Sequence, residues 1–550
     1  MAWKREPQLL DALDRAVPRL LAEQRPHGQF GTEPWISTDQ NVLLALAAAW
    51  SLPESTHYQR DEVLAAIVRG GNALIAAQDD KGMFTFRKKD HSTWGQIYMP
   101  WVYSRWVRAF AQVCQAMDQR SREQWSAALL RGYEGIAATA LNHVHNIPAH
   151  HAMGLYCAGT VFDRPAWIVQ AREFLHRVAA EQSPYGWWAE HQGPVVAYNF
   201  VYVEALGVYY ALSNDDTVLD ALQRAAAYHA ACTYPDGSLV ETVDGRNPYH
   251  AGIRLGNAGF AHTAAGRGFL ARQHRLYLEA GRAFDADYAA HLLLYGADGE
   301  MIETAASRDE HTYWMGDQAL MRRQRPWFMA LSAFTAPVPQ NRWGQDRQNV
   351  VSLFHDSTGL IVGGGNTKLQ PLWSTFTVGD PALLRHVPGD ANPDFSPRPG
   401  LAHTPNHARL EANPEHVGLE LAYGDQPCRI TLRPESPTEI TISLTTAASD
   451  DLPVEAHVTL LPRMGQPVRS AVGMIDALDE GAFDWSDPQW LEHAGWRLEI
   501  PGDSRVCWPV LPHNPYRKDG GATASEGRIV VIVPLRASAP AQDLRLRVRG

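Results

Sequence analysis

Residues 61–78 read DEVLAAIVRGGNALIAAQ. Apolar side chains recur there at spacings of three and four, which is the pattern of an amphipathic helix. Similar segments lie on both sides, from residue 1 to about residue 295, and turn-rich pieces such as 25–34, 78–93 and 234–238 separate them. Paired antiparallel helices, as in an (α/α) toroid or a helical solenoid, are therefore predicted, although no fixed-period repeat is evident in the sequence.

The pattern changes at about residue 300. Runs such as EITISLTTA (439–447), VEAHVTLLP (454–462) and RIVVIVPLRA (528–537) are rich in Val, Ile and Thr, and Pro, Gly, Asn and Asp lie between them. Many strands at this spacing predict an antiparallel β-sandwich. The predicted fold class is a multidomain α-then-β chain, with an (α/α) toroid at 1–300 and a β-sandwich at 301–550.

Composition limits the function. The 550 residues carry a formal net charge of −11, which argues against nucleic-acid or anionic-membrane partners. The 18 Trp and 19 Tyr suit sugar faces as well as protein cores. Five scattered Cys without a CxxC pair indicate reduced thiols. No apolar run spans a membrane and no signal peptide is seen, so a cytoplasmic protein is predicted, with a periplasmic or secreted one as the alternative if a signal was removed.

Residues 190–202, EHQGPVVAYNFVY, hold the densest candidate chemistry. Glu190 and His191 precede a Gly-Pro turn, and Tyr198 and Tyr202 are four apart, so they share one face of a helix. An imidazole and two phenols at one pocket suffice to move protons on and off a sugar. The alternative is that both tyrosines are packing residues of an amphipathic helix.

Residues 141–151, LNHVHNIPAHH, form a second candidate stretch with Asn142, His143 and His145. Histidine is a common metal ligand, but no Asp, Glu or Cys lies within the stretch, so a local metal site is weakly supported. Solvated or core histidines are the alternative.

Three further groups are candidate substrate contacts. Arginine can hold a carboxylate bidentately. Taken singly, each residue fits a structural role equally well: the arginines at the helix-to-sheet junction can bridge the domains, and the tryptophan can be buried. The candidates are Trp94, Gln96, Tyr249, His250, Arg254, Asn257, His262, Arg322 and Arg323.

Together these features resemble the polysaccharide lyases in which an (α/α) toroid precedes an antiparallel β-sandwich, such as chondroitin AC lyase, hyaluronate lyase, heparinase II/III and related alginate lyases. Four short motifs occur in the same order as in that superfamily. They are Asn142-His143, Glu190-His191 with Tyr198 and Tyr202, Gly266-Arg267 with Arg272, and Met315-Gly316-Asp317 with Arg322-Arg323 and Trp327-Phe328.

The chain also departs from the pattern. The His-to-Tyr spacing is longer than in hyaluronate lyases, and the second Arg after Gly266-Arg267 is displaced by one, so both tyrosines stay candidates. Some relatives carry a His/Asp/His zinc site in the sandwich. The available histidines show no persuasive pattern for it, and neither a metal nor a cofactor is predicted; they are His355, His386, His403 and His407.

The resemblance implies β-elimination on an acidic polysaccharide or oligosaccharide with 4-linked uronic acid. Asn142, with His143 or Arg267, would neutralise the C6 carboxylate of the uronate. Tyr202, or Tyr198 one turn away, would protonate the leaving oxygen. The same Tyr or His191 would accept the C5 proton.

Two other functions compete with the lyase. A toroid glycoside hydrolase acting on unsaturated uronides would need a carboxylic acid pair or a water-activating Asp, for which Asp90, Glu190, Asp236 and Glu241 are candidates. A non-catalytic oligouronide-binding protein is the third. The polysaccharide and the oligomeric state are left open.

Overall fold

The protein is described by a computed structural model, in which residues 2–385, 387, 389–448 and 452–549 are described. The chain divides into two compact units. The helical unit contains Met1–Trp188, Ala197–His229 and Arg254–Thr304. The β unit contains Ala189–Val196, Ala230–Ile253 and Ala305–Gly550. The units thus change a few residues after the boundary expected at 300, and two short segments of the first half belong to the β unit.

The helical segments expected from apolar spacing are present. Residues 61–78, for example, form a helix whose buried side chains include Val63, Ile67 and Leu74. The α-helices of the described residues are α1 Pro7–Glu23, α2 Val42–Ser51, α3 Asp61–Ala77, α4 Pro100–Val113, α5 Gln119–Thr139, α6 Asn146–Val161, α7 Pro165–Ala180, α8 Val196–Ser213, α9 Leu219–Ala231, α10 Ala264–Glu279 and α11 Ala286–Tyr295.

The helical unit closes on itself. Helices α2, α4 and α6 pack side by side, and α11 packs on α1 and α2, the first helices of the chain. The N-terminal residues Ala2–Trp3 pair with Gly299–Glu300, and Arg5 makes an ion pair with Asp298 (3.0 Å). The last segment of the unit is therefore fastened to the first, as in a toroid.

A recurring turn follows several helices, which the sequence alone did not reveal. Its glycines are Gly28, Gly82, Gly186 and Gly237, all with φ between 85° and 91°, where only glycine is unstrained. In each turn the glycine N–H donates to the carbonyl three residues earlier. At the first three turns a Gln lies four residues before the glycine, and its Nε2 donates to a carbonyl of a later helix; the pairs are Gln24 to Ala66, Gln78 to Ala128 and Gln182 to Ala221.

Antiparallel strands dominate the rest of the chain. The strands of the described residues are β1 Ala2–Trp3, β2 Phe84–Arg87, β3 Thr93–Ile97, β4 Gly299–Glu300, β5 Glu310–Met315, β6 Ala319–Gln324, β7 Trp327–Ser332, β8 Val351–His355, β9 Gly359–Val362, β10 Phe376–Gly379, β11 Leu401–Ala402, β12 His407–Ala412, β13 Val417–Tyr423, β14 Gln426–Ser436, β15 Glu439–Thr446, β16 Val454–Leu460, β17 Val468–Ser470, β18 Met474–Ile475, β19 Phe483–Ser486, β20 Trp490–His493, β21 Trp496–Glu499, β22 Arg505–Val510, β23 Arg528–Leu535 and β24 Ala541–Val548.

Two large sheets form the β unit. One has the order β19-β22-β23-β16-β9-β8-β7-β6-β5, with β10 and β11 branching from β16. The other has the order β12-β13-β14-β15-β24-β21-β20-β17-β18. One apolar core joins side chains of both sheets, such as Leu353 and Val531 of the first and Leu432 and Leu544 of the second. Burial of alternate apolar residues from both inner faces is what holds a sandwich together. The predicted order of helical toroid and antiparallel sandwich is confirmed.

No α-helix in the described ranges is both long enough and apolar enough to cross a membrane.

Candidate functional site

The loop between α5 and α6 exposes two of the predicted residues. Asn142 and His143 are both exposed, and the Asn142 amide Nδ2 donates to the Thr139 carbonyl at 2.9 Å, which ties the loop to the end of α5. The rings of His143 and His145 meet edge to face, 5.9 Å between centroids. The loop therefore presents an amide and an imidazole to solvent from a fixed base.

Residues Glu190–Gly193 form a tight turn with His191 near its tip. The Glu190 N–H donates to the Gly193 carbonyl at 2.8 Å, and the Glu190 side chain is buried. His191 is exposed and has φ = 61°, a left-handed conformation uncommon for a residue other than glycine. Gly193 has φ = 142°, a conformation that favours glycine, and a Cβ there would lie 2.5 Å from the Arg347 Nη2. Strain of this kind collects at functional sites, which supports the choice of His191.

The two tyrosines of α8 differ in burial. Tyr198, on the first turn, is partly exposed. Tyr202 is fully buried, and its ring stacks on Trp188 at 4.9 Å and 10°. Asn199 fixes that tryptophan, because its Oδ1 accepts from the Trp188 N–H (2.6 Å) and its Nδ2 donates to the Trp188 carbonyl (3.1 Å). The sequence ranks Tyr202 first as the proton donor, but this environment gives it a packing role and leaves Tyr198 as the more accessible phenol.

Arg254 and Asn257 meet α8 at Phe200. The guanidinium of Arg254 lies 5.0 Å from the centre of the Phe200 ring, and the Asn257 Nδ2 donates to the Phe200 carbonyl at 2.7 Å. Residues 198 and 200 leave a helix on opposite sides. The stacking on Phe200 therefore does not bring Arg254 to the Tyr198 side of the helix. His262 instead packs edge to face on Tyr210 (4.9 Å), and burial lowers its pKa to about 4.

Arg267 is a structural clamp. Its Nε donates to the Glu300 carbonyl and its Nη1 to the Ala261 carbonyl, both at 2.6 Å. These bonds fasten the start of α10 to the end of the helical unit. The role in carboxylate neutralisation that the resemblance implies gains no support from this geometry, because the donors already face backbone carbonyls.

Trp94 and Gln96 lie on the β2–β3 hairpin of the helical unit. The Lys88 ammonium stands 4.7 Å from the centre of the Trp94 ring, and the Trp94 indole N–H donates to the Ser92 hydroxyl at 3.1 Å. Gln96 is exposed and donates to the Thr85 hydroxyl at 2.8 Å. The hairpin therefore holds a partly exposed indole, as a sugar platform requires, with a lysine over one face.

In the β unit, Glu241 is buried among donors. It accepts hydrogen bonds from the Ser352 hydroxyl (2.6 Å), the Gly364 N–H (2.9 Å) and the Tyr234 hydroxyl (2.9 Å). Burial raises its pKa. A carboxylate held by three donors is a structural group rather than a hydrolytic acid or base, so the hydrolase alternative gains no support from Glu241.

Of the other three hydrolase candidates, Glu190 is buried, and the two aspartates cap local turns. Asp236 accepts from the Ser238 N–H and hydroxyl, and exposed Asp90 accepts from the Ser92 N–H. Tyr249, half-buried, contacts the Ser238 hydroxyl at 3.2 Å, and His250 is exposed. These two substrate-contact candidates stay available on the surface of the β unit.

Arg322 and Arg323 lie on β6 and serve the sheet. Arg323 is buried and makes a bidentate ion pair with Asp356, at 2.6 and 2.8 Å. Arg322 is half-buried and donates to the Asn413 and His416 carbonyls. Their guanidinium groups hold strands and loops of the β unit together, so neither is placed as a polyanion contact.

Of the four histidines considered for a zinc site, His403 and His355 have other partners, and His407 is exposed at the start of β12. The Asp346 carboxylate bridges His403 Nε2 and Lys368 Nζ, both at 3.0 Å, so an ammonium already supplies the cation there. His355 faces the Ser357 hydroxyl and the Pro437 carbonyl. His386 lies outside the described residues. Within the described ranges, no group of three His, Cys, Asp or Glu side chains has the arrangement of a metal site.

A buried ion network inside the helical unit was not foreseen. Arg105 of α4 makes a bidentate pair with Asp287 of α11, at 2.7 and 2.9 Å. Fully buried Arg108 lies 3.6 Å from Glu204 of α8, and His291 Nε2 lies 3.2 Å from the same Glu204 oxygen. The network therefore joins α4, α8 and α11 through opposite charges.

Contacts and burial set the titration of this network. His291 Nδ1 faces the Asp287 carbonyl at 2.9 Å, and its Nε2 lies 3.2 Å from a Glu204 carboxylate oxygen. Burial raises the pKa of Glu204, but His291 and Arg105 outweigh burial and hold it well below its usual value. Burial also lowers the pKa of His150 of α6, which is therefore neutral and hydrogen-bonds the Ser104 hydroxyl at 2.7 Å.

A weak signal for this network exists in the sequence. Arg105 and Arg108 interrupt an otherwise apolar helix, and Asp287 and His291 are four apart on another. Charged residues are rarely buried without partners, so charges in two apolar helices indicate a shared interior. Which helices meet is decided by tertiary packing and not by these local patterns.

Comparison with known proteins places the fold. No protein-family description and no curated protein matches the chain. Solved structures do match. A chondroitin AC lyase of Streptomyces coelicolor A3, in complex with chondroitin sulphate, is 15% identical, with 99% of this chain and 80% of that chain covered and a TM-score of 0.56.

A chondroitinase AC lyase solved in complexes with oligosaccharides is 10% identical, with 98% and 82% covered and a TM-score of 0.53. At these identities the likeness concerns the fold. The chain therefore has the fold of the polysaccharide lyases in which a helical toroid precedes an antiparallel β-sandwich.

Proposed function

We propose that the protein is a polysaccharide lyase that cleaves glycans with 4-linked uronic acids by β-elimination. The observation that carries this proposal is Tyr198, a partly exposed phenol at the start of α8, in a chain whose fold matches a chondroitin AC lyase over 99% of its length. The exposed pair Asn142-His143 supports it, since the reaction needs donors for a carboxylate.

In the proposed reaction, the C5–H bond of the uronate breaks, the proton goes to a base, and the electron pair is held as the enolate of the C6 carboxylate. That pair then forms the C4=C5 double bond as the C4–O4 bond breaks, and the leaving oxygen takes a proton. Negative charge builds on the C6 carboxylate as the C5 proton departs, so donors aimed at that group lower the barrier. The Asn142 amide is a neutral donor suited to this, and His143 adds charge when protonated.

Tyr198 is assigned the proton transfer to the leaving oxygen. A phenol can also accept the C5 proton when neighbouring cations give it phenolate character. The sequence-based assignment of His191 as the alternative acceptor stays a prediction, supported by its exposure and its left-handed backbone. An imidazole is a suitable general base near neutral pH.

The first test is a substrate screen. Alginate, hyaluronan, chondroitin, heparosan and bacterial exopolysaccharides are each incubated with the protein, and absorbance near 235 nm (roughly, for the conjugated alkene) is followed. We expect one of them to give rising absorbance. New reducing ends without absorbance would indicate the hydrolase instead, and binding without either product would indicate the oligouronide-binding protein.

The second test separates the two phenols. Tyr198→Phe should lower kcat by about 100-fold or more, because it removes a proton donor. Tyr202→Phe, its matched control one helical turn away, should keep most of the turnover because that ring stacks in the core. The reverse result would return the role to Tyr202, and full activity of both variants would refute the mechanism.

A further inference from the structure

A cavity of about 680 Å³ opens on the β unit, far along the chain from the residues assigned to catalysis. Its walls are the loop Pro462–Pro467, strand β17, the β20–β21 hairpin and the C-terminal Arg549. We propose that this cavity is an accessory binding site for an anionic saccharide, whose carboxylate or sulfate groups are held by Arg463 and Arg469.

The cavity carries an excess of positive charge. Arg463, Arg469 and Arg549 line it, and the carboxylate among the lining residues is that of Glu492. Glu492 hydrogen-bonds Arg549 and lies 3.9 Å from Arg497 outside the cavity. In the described part of the chain, neither Arg463 nor Arg469 makes an ion pair with a carboxylate. The Arg463 Nη2 also donates to the Thr358 carbonyl at 3.1 Å, a bond that orients the guanidinium without neutralising its charge. In a chain of net charge −11, two guanidinium groups without a carboxylate partner in one concavity form a local anion site.

The loop that carries Arg463 is rigidly held. His493 is 1% exposed; its Nε2 accepts from the Arg463 N–H and its Nδ1 faces the Pro467 carbonyl, both at 2.8 Å. An acceptor role at Nε2 leaves the proton on Nδ1, so the imidazole is neutral and joins both ends of the loop. Burial lowers the pKa of His493, which keeps it in this form. A site held before the ligand arrives loses less entropy on binding.

The opposite wall contains backbone strain. The β20–β21 hairpin turns through Ala494 (φ = 44°) and Gly495 (φ = 88°), and the Arg549 N–H donates to the Gly495 carbonyl at 2.9 Å. A two-residue turn of this kind favours Asn or Asp before the glycine, so alanine is unusual there. A small side chain at 494 keeps the cavity open at the cost of the strain, as is common in binding sites.

The lining also suits a sugar rather than a bare ion. An arginine fork matches the two oxygens of a carboxylate or sulfate. Pro462, Met464 and Pro467 supply apolar surface for the C–H faces of a pyranose, and Met464 is 40% exposed. The choice of a uronate-containing glycan as the ligand rests on the proposed function, whereas the anionic saccharide class follows from the cavity.

The test uses the double variant Arg463→Gln/Arg469→Gln in the full chain. Binding of alginate oligomers, chondroitin sulfate oligomers and inorganic sulfate is measured by calorimetry in a Tyr198→Phe background, which prevents turnover during titration. The control is Arg325→Gln/Arg536→Gln, which removes two exposed arginines of the same unit that lie outside the cavity. Arg469→Gln alone guards against misfolding, because Arg469 is an exposed residue at the cavity wall.

We expect the cavity variant to bind at least one oligosaccharide about tenfold or more weakly, since each lost charged hydrogen bond weakens binding by about that factor. The alginate and chondroitin sulfate arms separate a carboxylate from a sulfate requirement. Equal binding by the cavity and control variants would overturn the inference, as would binding of inorganic sulfate without either saccharide. A screen that yields no unsaturated product would refute the proposed function. It would leave the cavity inference standing, because loss of binding in the cavity variant does not depend on catalysis.

Discussion

Both units bury ionisable side chains, and the β unit also holds a buried ion pair between Asp346 and Lys368. Two buried glutamates, one in each unit, are nevertheless satisfied differently. In the helical unit, Glu204 lies between Arg108 and His291 of two other helices, and its partners are charged side chains. In the β unit, Glu241 accepts from two hydroxyls and one backbone N–H. The first arrangement depends on charge balance across helices, and the second depends on local hydrogen bonds.

Arg528 shows how the β unit holds a buried charge. It is 3% exposed, and its terminal nitrogens donate to the carbonyls of Gly364, Glu526 and Gly527. Burial lowers its pKa to about 10. A guanidinium whose terminal nitrogens are held by three backbone carbonyls is fixed in place and has a structural role. In the ion network of the helical unit, titratable groups lie close to one another. Close charged partners of this kind also shift pKa values at functional sites.

Removal of Glu204 should have the largest effect. Glu204→Ala leaves Arg108 and His291 without their counter-charge, and we expect the free energy of unfolding to fall by about 3–5 kcal/mol. The double variant Glu204→Leu/Arg108→Leu should be less destabilised, because the buried Arg108 charge is removed together with its partner. Denaturant unfolding monitored by circular dichroism measures both. A loss below about 1 kcal/mol in the single variant would show that the network is not energetically coupled.

Replacement of Glu241 tests how much its three hydrogen bonds stabilise the β unit. Glu241→Leu leaves three donors without an acceptor, so the free energy of unfolding should fall by about 3 kcal/mol. Glu241→Gln keeps two acceptor positions and should lose about 1 kcal/mol. Turnover of the folded fraction should not change in either variant. If folded Glu241→Gln loses its turnover, the carboxylate is catalytic and the contrast between the units fails.

Acidification should lower the stability of the helical unit before that of the β unit. Burial lowers the pKa of His151 and of His274 in the helical unit to about 4. An unfolded histidine titrates at about 6.5, so the unfolded state binds more protons and each group destabilises the fold by about 1.4 kcal/mol per pH unit between pH 6.5 and 4. Burial raises the pKa of Asp244 in the β unit to about 6, so the folded state binds more protons between pH 6 and 4 and gains stability on acidification.

Hydrogen exchange at pH 7 and pH 5, corrected for intrinsic rates, measures this difference. We expect helices α6 and α10 to lose protection before the strands of the β unit. The variant His151→Leu should reduce the loss in α6. Earlier loss of protection around Asp244 would contradict the assignment.

The smallest effects come from two matched serines. The Ser104 hydroxyl contacts His150 at 2.7 Å in the helical unit, and the Ser352 hydroxyl donates to Glu241 at 2.6 Å in the β unit. Replacing either by Ala should lower the free energy of unfolding by about 1 kcal/mol. Denaturant unfolding measures both losses. Unchanged stability in either variant would contradict a hydrogen-bonding role for that hydroxyl.

The sequence was sufficient for the fold class because the two periodicities are local. Residues 61–77 show helical spacing and form α3, and the alternating residues 439–446 form β15. The order of strands was not accessible, because β15 pairs with β24 and β16 pairs with β23 across long stretches of chain. Such pairings depend on which apolar faces meet in the completed core.

Only part of the candidate site could be predicted, because a sequence shows residue types and spacing but not the packing partners of each side chain. Motif order pointed to Asn142, His191 and Tyr198, whose exposure agrees with contact to a ligand. The burial of Tyr202 depends on Trp188, and the fixed position of Arg267 depends on the Glu300 carbonyl. Neither partner is within helical reach in the sequence, so residue type and spacing could not separate catalytic from packing roles.

The spacing of the recurring glycine turns singles out one helix junction. The turns at Gly28, Gly82, Gly186 and Gly237 follow nearly even intervals, with one interval about twice as long as the others. The α5–α6 junction, residues 140–145, falls in that long interval, contains no glycine and presents Asn142 and His143 instead. Substitutions at these six residues therefore leave the glycine turns and their Gln-to-carbonyl bonds in place.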